Sequence, residues 1–481
     1  MVQQGTKFSE DQMRSRTVIH PQLGPGRLLK TYMGGFEWEV LFDSGRRFRL
    51  PAREFEAESV TAWQSRAAPA AAVFAPHLPV LETDQFRARQ TLEALRLGIV
   101  PVQDVETLTI GLEAEQVSLD RALSRSKERG GDVQAVIGDY GFGKSHFVEL
   151  AARRGLRENF LVAVASLDLV EVPPSKANEI YRALTRSIRY PDTQERGLRP
   201  LIKMALDSPG VIAQFVERSP RQNDCPLTAA LGALADCGSQ SAYDDIVDWV
   251  GGQIKPTAEL RTCLKKPPRL YLTGEVGRQY SYLLTAIAVL ATLLGYGGLT
   301  VLIDESEHYS LLRANQRERA DSFFKALIYA ALGQANSRVD PKTIPYHARL
   351  DYDITFATNP HLFFLFALTE SENRMPVDSW LAPSQIVRLD DRFIERDIHT
   401  FFTTLLRYHS IAYAYAFPPP RERYEEIVKV VPGMLSRALG QHRINLRELI
   451  RLGVIIYDLL YLHPDYEPEA LLQELVHGLR L

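Results

Sequence analysis

The most constraining stretch of this chain is Gly138-Asp139-Tyr140-Gly141-Phe142-Gly143-Lys144-Ser145, which fits G-x-x-x-x-G-K-[ST]. An apolar run, Val133 to Ile137, precedes it, and a helical pattern, Ser145 to Ala152, follows. Strand, glycine-rich loop and helix in that order commit the segment to one geometry. The glycines let successive backbone N–H groups turn inward as an anion nest. Lys144 brings a point charge to β- and γ-phosphates, and Ser145 offers a hydroxyl to Mg²⁺. The first turn of the helix, which reaches His146, adds its positive end. Gly138 through His146 are therefore the expected contacts of a nucleoside triphosphate, ATP or GTP, with Mg²⁺.

A phosphate loop of this kind needs an acidic partner. Leu299-Thr300-Val301-Leu302-Ile303 reads as a buried strand, and Asp304-Glu305 stand at its carboxyl end, where open α/β sheets bind ligands. Asp304 is expected to hold Mg²⁺ with Ser145. Glu305 is expected to act as general base on the attacking water. Glu307 and His308 read as a solvated loop. A further strand, Leu362 to Leu368, ends at Thr369-Glu370. Thr369 and Asn359, at its two ends, both qualify as polar contacts to the γ-phosphate. An arginine is expected to complete the site by stabilising charge on that phosphate. Arg443 and Arg447 open the amphipathic helix Ile444 to Leu460, and Arg388 and Arg392 begin the same C-terminal region. Arg443 is the preferred candidate.

The rest of the chain gives the frame. Strands Val133–Ile137, Phe160–Leu167, Thr300–Ile303 and Leu362–Leu368 are apolar on both faces, as in a parallel sheet covered by helices. Residues 190–280 read as a helical insertion without a sharp motif, and after about residue 385 no strand signal remains. Ahead of these, Val18 to Leu50 holds three or four short strands with period-two patterning. The Ala/Pro-rich Ser65–Pro79 reads as a linker. The expected fold is α/β: a P-loop parallel sheet with a helical C-terminal lid, preceded by a small β-barrel. The expected boundaries are 1–60 for the barrel, 61–81 for the linker, 82–385 for the ATPase core and 386–481 for the lid.

Composition narrows the function classes. With 481 residues and a net charge of −3, the chain has no overall attraction for nucleic acid. Residues 14–53, however, hold eight Lys/Arg against three Asp/Glu, a local excess of five. Arg47 and Arg49 alternate with Phe48 and Leu50 and so share one face, suited to DNA phosphate or an acidic protein. Cys225, Cys237 and Cys263 are few and scattered, against a disulfide framework or a zinc site and in keeping with a reducing cytoplasm. The amino-terminal residues carry no apolar run of a signal peptide. The apolar Leu283–Leu294 is too short for a bilayer and reads as a buried helix.

These segments resemble AAA+ P-loop ATPases of the Orc/Cdc6-like type and, more closely, the ATP-binding proteins of BREX (bacteriophage exclusion) systems. The resemblance spans about residues 86–465. It rests on Ala94-Leu95-Arg96-Leu97-Gly98-Ile99-Val100-Pro101, Ile110-Gly111-Leu112-Glu113, the P-loop with its Tyr140-Gly141, Gly295-Tyr296-Gly297-Gly298-Leu299, and Asp304-Glu305-Ser306-Glu307. It implies an ATPase, often oligomeric, that works with other defence proteins on phage DNA. It also implies a sensor-one role for Thr369 and a sensor-two role for Arg443, although His442-Arg443 stands where the family carries Pro-Arg. Residues 17–56 resemble the Tudor-like domain of UvrD/PcrA-type helicases, through Val18-Ile19-His20-Pro21, Gly24-Pro25-Gly26, Trp38 to Phe42 and Gly45. Three functions follow as expectations. The first is ATP hydrolysis coupled to partners on DNA. The second is a nucleotide-gated binding module with little turnover. The third, a small-molecule kinase, is disfavoured by the chain's size, lid and N-terminal unit.

Overall fold

The computed structural model describes residues 17–51 except 21–22 and 33–36. It also describes residues 83–474 except 219–224, 236–238, 265–267, 269, 271–276, 346–352, 391–394, 415–429, 432, 435–445, 464, 469 and 472–473. The chain divides into two compact units, residues 1–82 and 83–481. The expected linker and Arg392, Arg443 and Cys237 lie outside the described residues.

The first unit contains β1 (Thr17–His20), β2 (Gly24–Tyr32), β3 (Glu37–Phe42) and β4 (Arg47–Pro51), paired antiparallel in sequence order. The strands bury Val18, Leu28, Trp38, Val40 and Phe42 against one another. Arg47 and Arg49 face out, as the alternation requires, with Arg47 3.5 Å from Glu39. The described pairing is that of a small antiparallel sheet; no pairing of β1 with β4 closes it into the expected barrel among the described residues.

The second unit is built on a five-stranded parallel sheet. Its strands are β5 (Gly131–Ile137), β6 (Leu161–Ser166), β7 (Leu299–Asp304), β8 (Leu362–Leu368) and β9 (Ile386–Arg388), in the order β6-β7-β8-β5-β9. Thus β8 separates the phosphate-loop strand β5 from the acidic strand β7, and all pairs are parallel. The period-two rule accounts for the two cores. Phe364, Phe366 and Leu368 of β8 face one layer, while Phe363, Leu365 and Ala367 face the other. Every residue of β8 is buried, and each Phe or Leu there contributes about 1.5–3 kcal/mol of burial. The edge strand β9, only three residues long, corrects the expectation that no strand follows residue 385. It carries too few residues to show periodicity.

Helices cover both faces. α1 (Thr83–Arg96), α2 (Glu113–Arg129), α3 (Lys144–Arg157) and α4 (Ala177–Ser187) come first. The expected helical insertion between β6 and β7 follows as α5 (Arg199–Asp207), α6 (Val211–Glu217), α7 (Pro226–Ala235), α8 (Gln240–Val250), α9 (Ala258–Cys263) and α10 (Gly277–Leu293). Nearly every described residue of α10 is buried, which explains the apolar run read there. α11 (Ala314–Asn336), α12 (Val377–Trp380), α13 (Glu395–Tyr413) and α14 (Leu446–Leu462) come after β7. α2 and α3 pack on one face of the sheet, with Leu119, Leu123, Phe147 and Leu150. α4, α10 and α11 pack on the other, with Ile180, Ile287 and Phe324.

α1 does not join either layer. Its Ala88, Leu92 and Leu95 pack with Phe402, Leu405 and Leu406 of α13 and Leu449, Leu452 and Ile456 of α14. Gly453 makes room for this: a Cβ there would lie 2.1 Å from the Phe402 ring. The buried face is therefore Ala88-Thr91-Leu92-Leu95. Phe86 and Leu97 lie outside it, 53% and 70% exposed. No helix among the described residues is long and apolar enough to cross a membrane.

Candidate functional site

The loop 138–143 leaves the carboxyl end of β5 and enters α3. Gly138 is tied to the neighbouring strand by its N–H, which donates to Leu368 O at 3.2 Å. Gly141 and Gly143 adopt φ of 87° and 86°, the left-handed region where a side chain is strained, so the loop curls as only glycine readily allows. Phe147 N is bonded to Gly143 O, leaving the N–H groups before it without acceptors from the helix. The Lys144 ammonium, almost fully buried, donates to Gly138 O at 3.1 Å and Asp139 O at 3.2 Å.

The acidic end of β7 meets this loop. Asp304 accepts a hydrogen bond from the Ser145 hydroxyl and another, at 2.9 Å, from Glu305 N–H. Burial pushes its carboxyl up, against those two hydrogen bonds and the nearby Lys144 charge. Glu305 follows in the left-handed region, φ 58°, a conformation that costs a non-glycine residue about 1–3 kcal/mol. Burial also raises its carboxyl, and the charges of Glu307 and Asp304 add to that. The strained turn starts a short 3₁₀ helix, Ser306–Leu311, and brings Glu307 back to the cleft, with Oε1 4.0 Å from Lys144 Nζ. The expectation of a solvated loop is thus wrong for Glu307. Its neighbour His308 does not line the cleft but stands near both Glu305 and Asp168.

The cleft above the loop has a second, apolar end. Gly98, Ile99, Val100, Pro101, Leu108, Ile110 and Leu112 line it from the segment after α1, with Phe401 of α13 and Leu446 and Ile450 of α14 opposite. Thr109 Oγ1 lies 2.8 Å from His146 Nε2 and links this segment to the first turn of α3. The His146 ring keeps a partly exposed edge in the cleft, yet its packed surroundings push its pKa down to about 4, so it is neutral at pH 7. Tyr140, 66% exposed at the tip of the loop, accepts a hydrogen bond at 2.7 Å from Arg447 Nη1. The same guanidinium stands 5.0 Å from the tyrosine ring centroid. Gly98 admits Arg447: at φ 70°, a Cβ there would come within 3.0 Å of the arginine Cδ.

The structure therefore joins Tyr140 through His146 with Glu305 in one cleft, with Gly138, Asp139 and Asp304 bonded to its floor. Thr369 follows β8, half-buried, and does not line the cleft. Asn359 lies beside Gly130 at the amino ends of β5 and β8, the end of the sheet opposite the phosphate loop, and so cannot reach that loop. Arg388 is held by Glu370 at 3.1 Å and Asp378 at 3.4 Å. Arg447 is the arginine among the described residues that lines the cleft.

The donor set fits MgATP. A hydroxyl and a carboxylate already in contact, Ser145 and Asp304, match the hard-oxygen preference of Mg²⁺. The glycine cradle and buried ammonium match a polyphosphate. Residues 84–208 match the model of a family described as BREX system ATP-binding protein BrxC/D. The matched stretch runs from α1 through the phosphate loop to the end of α5, and stops short of Asp304 and Glu305. Over these residues the chain is similar to the BREX ATP-binding family, in line with the resemblance read from sequence. No curated protein matches the chain.

Proposed function

We propose that the chain binds MgATP in this cleft and hydrolyses it, as an AAA+-type ATPase acting with partner proteins on DNA in bacterial anti-phage defence. The observation that carries the reading is the bonded pair Ser145–Asp304 beside Lys144 and Glu305, joined from two strands that are not sheet neighbours. The loop N–H groups and Lys144 bind the phosphates. Ser145 and Asp304 hold Mg²⁺, which supplies Lewis-acid charge to the phosphate oxygens when bound. Glu305 takes the proton of the attacking water. The apolar end of the cleft takes the base and excludes solvent. Arg443 and the cleft-lining Arg447 are the candidate lid arginines, and Thr369, outside the cleft lining, is the candidate sensor at the carboxyl end of β8. The N-terminal sheet, with Arg47 and Arg49 exposed, contacts DNA phosphate or an acidic partner. A homo-oligomer and a cytoplasmic location complete the reading.

One observation favours the second function, a nucleotide-gated module with little turnover. Arg447 is engaged by Tyr140, and no other arginine of the described residues lines the cleft. ATP turnover of the full chain, with and without duplex DNA at low salt, separates the two. The ATPase reading expects measurable turnover that DNA changes, and loss of that response in Arg47→Glu/Arg49→Glu. Turnover that no DNA concentration alters would remove DNA from the reading.

A further inference from the structure

Glu307 has no assigned role in the motif that precedes it, yet its position is tightly specified. The left-handed turn at Glu305 reverses the chain and starts the 3₁₀ helix Ser306–Leu311. That helix is anchored to α11 rather than left as a loop. Tyr309 Oη donates to Asp321 Oδ1 at 2.8 Å, Arg317 Nη2 donates to Ser310 O at 2.8 Å, and the Arg317 guanidinium lies 5.8 Å from the Tyr309 ring centroid. These contacts fix the direction of Glu307. Its carboxyl shares the cleft with that of Glu305. Oε1 stands 4.0 Å from Lys144 Nζ. Oε2 is buried with no hydrogen-bond partner among the described residues. A buried carboxylate oxygen without a partner is unfavourable, and a purely structural side chain would avoid it by turning outward.

We propose that Glu307 is a positioning residue for ATP hydrolysis: its carboxylate, fixed in the cleft by the 3₁₀ helix, steadies the Lys144 ammonium from the acidic side, next to Glu305. The inference rests on the ATPase reading of this cleft. Glu307 itself need not touch substrate. Its carboxylate pairs with Lys144, and an amide at position 307 keeps the shape of the side chain but not its charge.

The test measures kcat, ATP affinity and Tm for the full-length wild type, Glu307→Ala, Glu307→Gln and Glu305→Gln. Misplacing a catalytic group lowers turnover by about 10–100-fold, so Glu307→Ala is expected to lose at least about tenfold in kcat. ATP affinity should stay within about threefold, because the loop N–H groups still hold the phosphates. Glu307→Gln, which keeps the shape without the charge, should lose as much in kcat. If the alanine variant does not fold, Glu307→Asp carries the same test, since it keeps the charge but withdraws the carboxyl by one methylene. A kcat for Glu307→Ala within twofold of wild type, or an affinity loss as large as the kcat loss, overturns the proposal. Glu305→Gln distinguishes the two failures. If it is inactive while Glu307→Ala is normal, only the positioning role fails. If it turns over like wild type, the ATPase reading fails as well.

Discussion

The two ends of the cleft are made in different ways. The phosphate end is polar, buried and local: residues 138–146 and 304–307 are two short stretches at the carboxyl ends of β5 and β7. The apolar end is assembled from residues 98–112, α13 and α14, which come together because α1 packs with the C-terminal helices and not on the sheet. The first end can bind phosphate in any nucleotide. In the proposed function the second end takes the base, and it brings Arg447 to the cleft. Chemistry is thus encoded in contiguous motifs, and enclosure in long-range packing.

Substitutions at the two ends should separate these contributions. The largest effect is expected at Lys144→Ala. It removes the buried ammonium, so affinity for ATP and for inorganic tripolyphosphate should both fall by at least about 100-fold in calorimetric titration, from the loss of charge-assisted hydrogen bonds. Tripolyphosphate binding as tight as in wild type would break the assignment of the phosphate end. Ile450→Ala should act on the other end alone. Loss of three methyl or methylene groups of apolar contact is expected to weaken ATP by about tenfold and leave tripolyphosphate unchanged. Equal losses for the two ligands would mean that α14 supports the loop rather than the base.

The smallest effect concerns the packing that brings the apolar end together. Asp458 of α14 takes a 2.7 Å ion pair from Arg96 of α1 and a 3.0 Å contact from His409 of α13. Burial works to raise its carboxyl, but the His409 hydrogen bond and the Arg96 charge outweigh burial and hold it below the usual range. A carboxyl depressed in the folded state stabilises the fold above its unfolded pKa, about 3.9, and this contribution is lost as pH falls through the folded value. Asp458→Asn should therefore cost about 1–2 kcal/mol at pH 7 and show a flatter fall of Tm between pH 5 and pH 3 than wild type. A parallel fall in both proteins would show that the pair does not stabilise the junction.

The contrast between the ends also explains what could be read in advance. The phosphate loop, Asp304 and Glu305 are legible because each residue type is demanded by local chemistry, and the buried strands β5 to β8 are legible because both their faces are apolar. Glu307 was misread because nothing in Glu-Ser-Glu reveals that a left-handed residue at Glu305 reverses the chain. Arg447 and Arg443 occupy the same helix start in sequence; Arg447 approaches Tyr140 past Gly98, while Arg443 lies outside the described residues. β9 is too short to show a period. The partnership of α1 with α13 and α14 joins residues more than 300 positions apart, as Arg96 to Asp458 shows, and no local pattern records it. The expected barrel reduces, in the described pairing, to its four-stranded sheet, since closure depends on contacts between strands distant in order.

The central claim is that Asp304 and Glu305 turn phosphate binding into hydrolysis. Comparing kcat and ATP affinity of wild type and Glu305→Gln at saturating MgATP tests it most directly. Removing a general base lowers turnover by about 10²–10⁴-fold, so the variant is expected to bind ATP as wild type does and to lose at least about 100-fold in kcat. Unchanged turnover in Glu305→Gln would contradict the account.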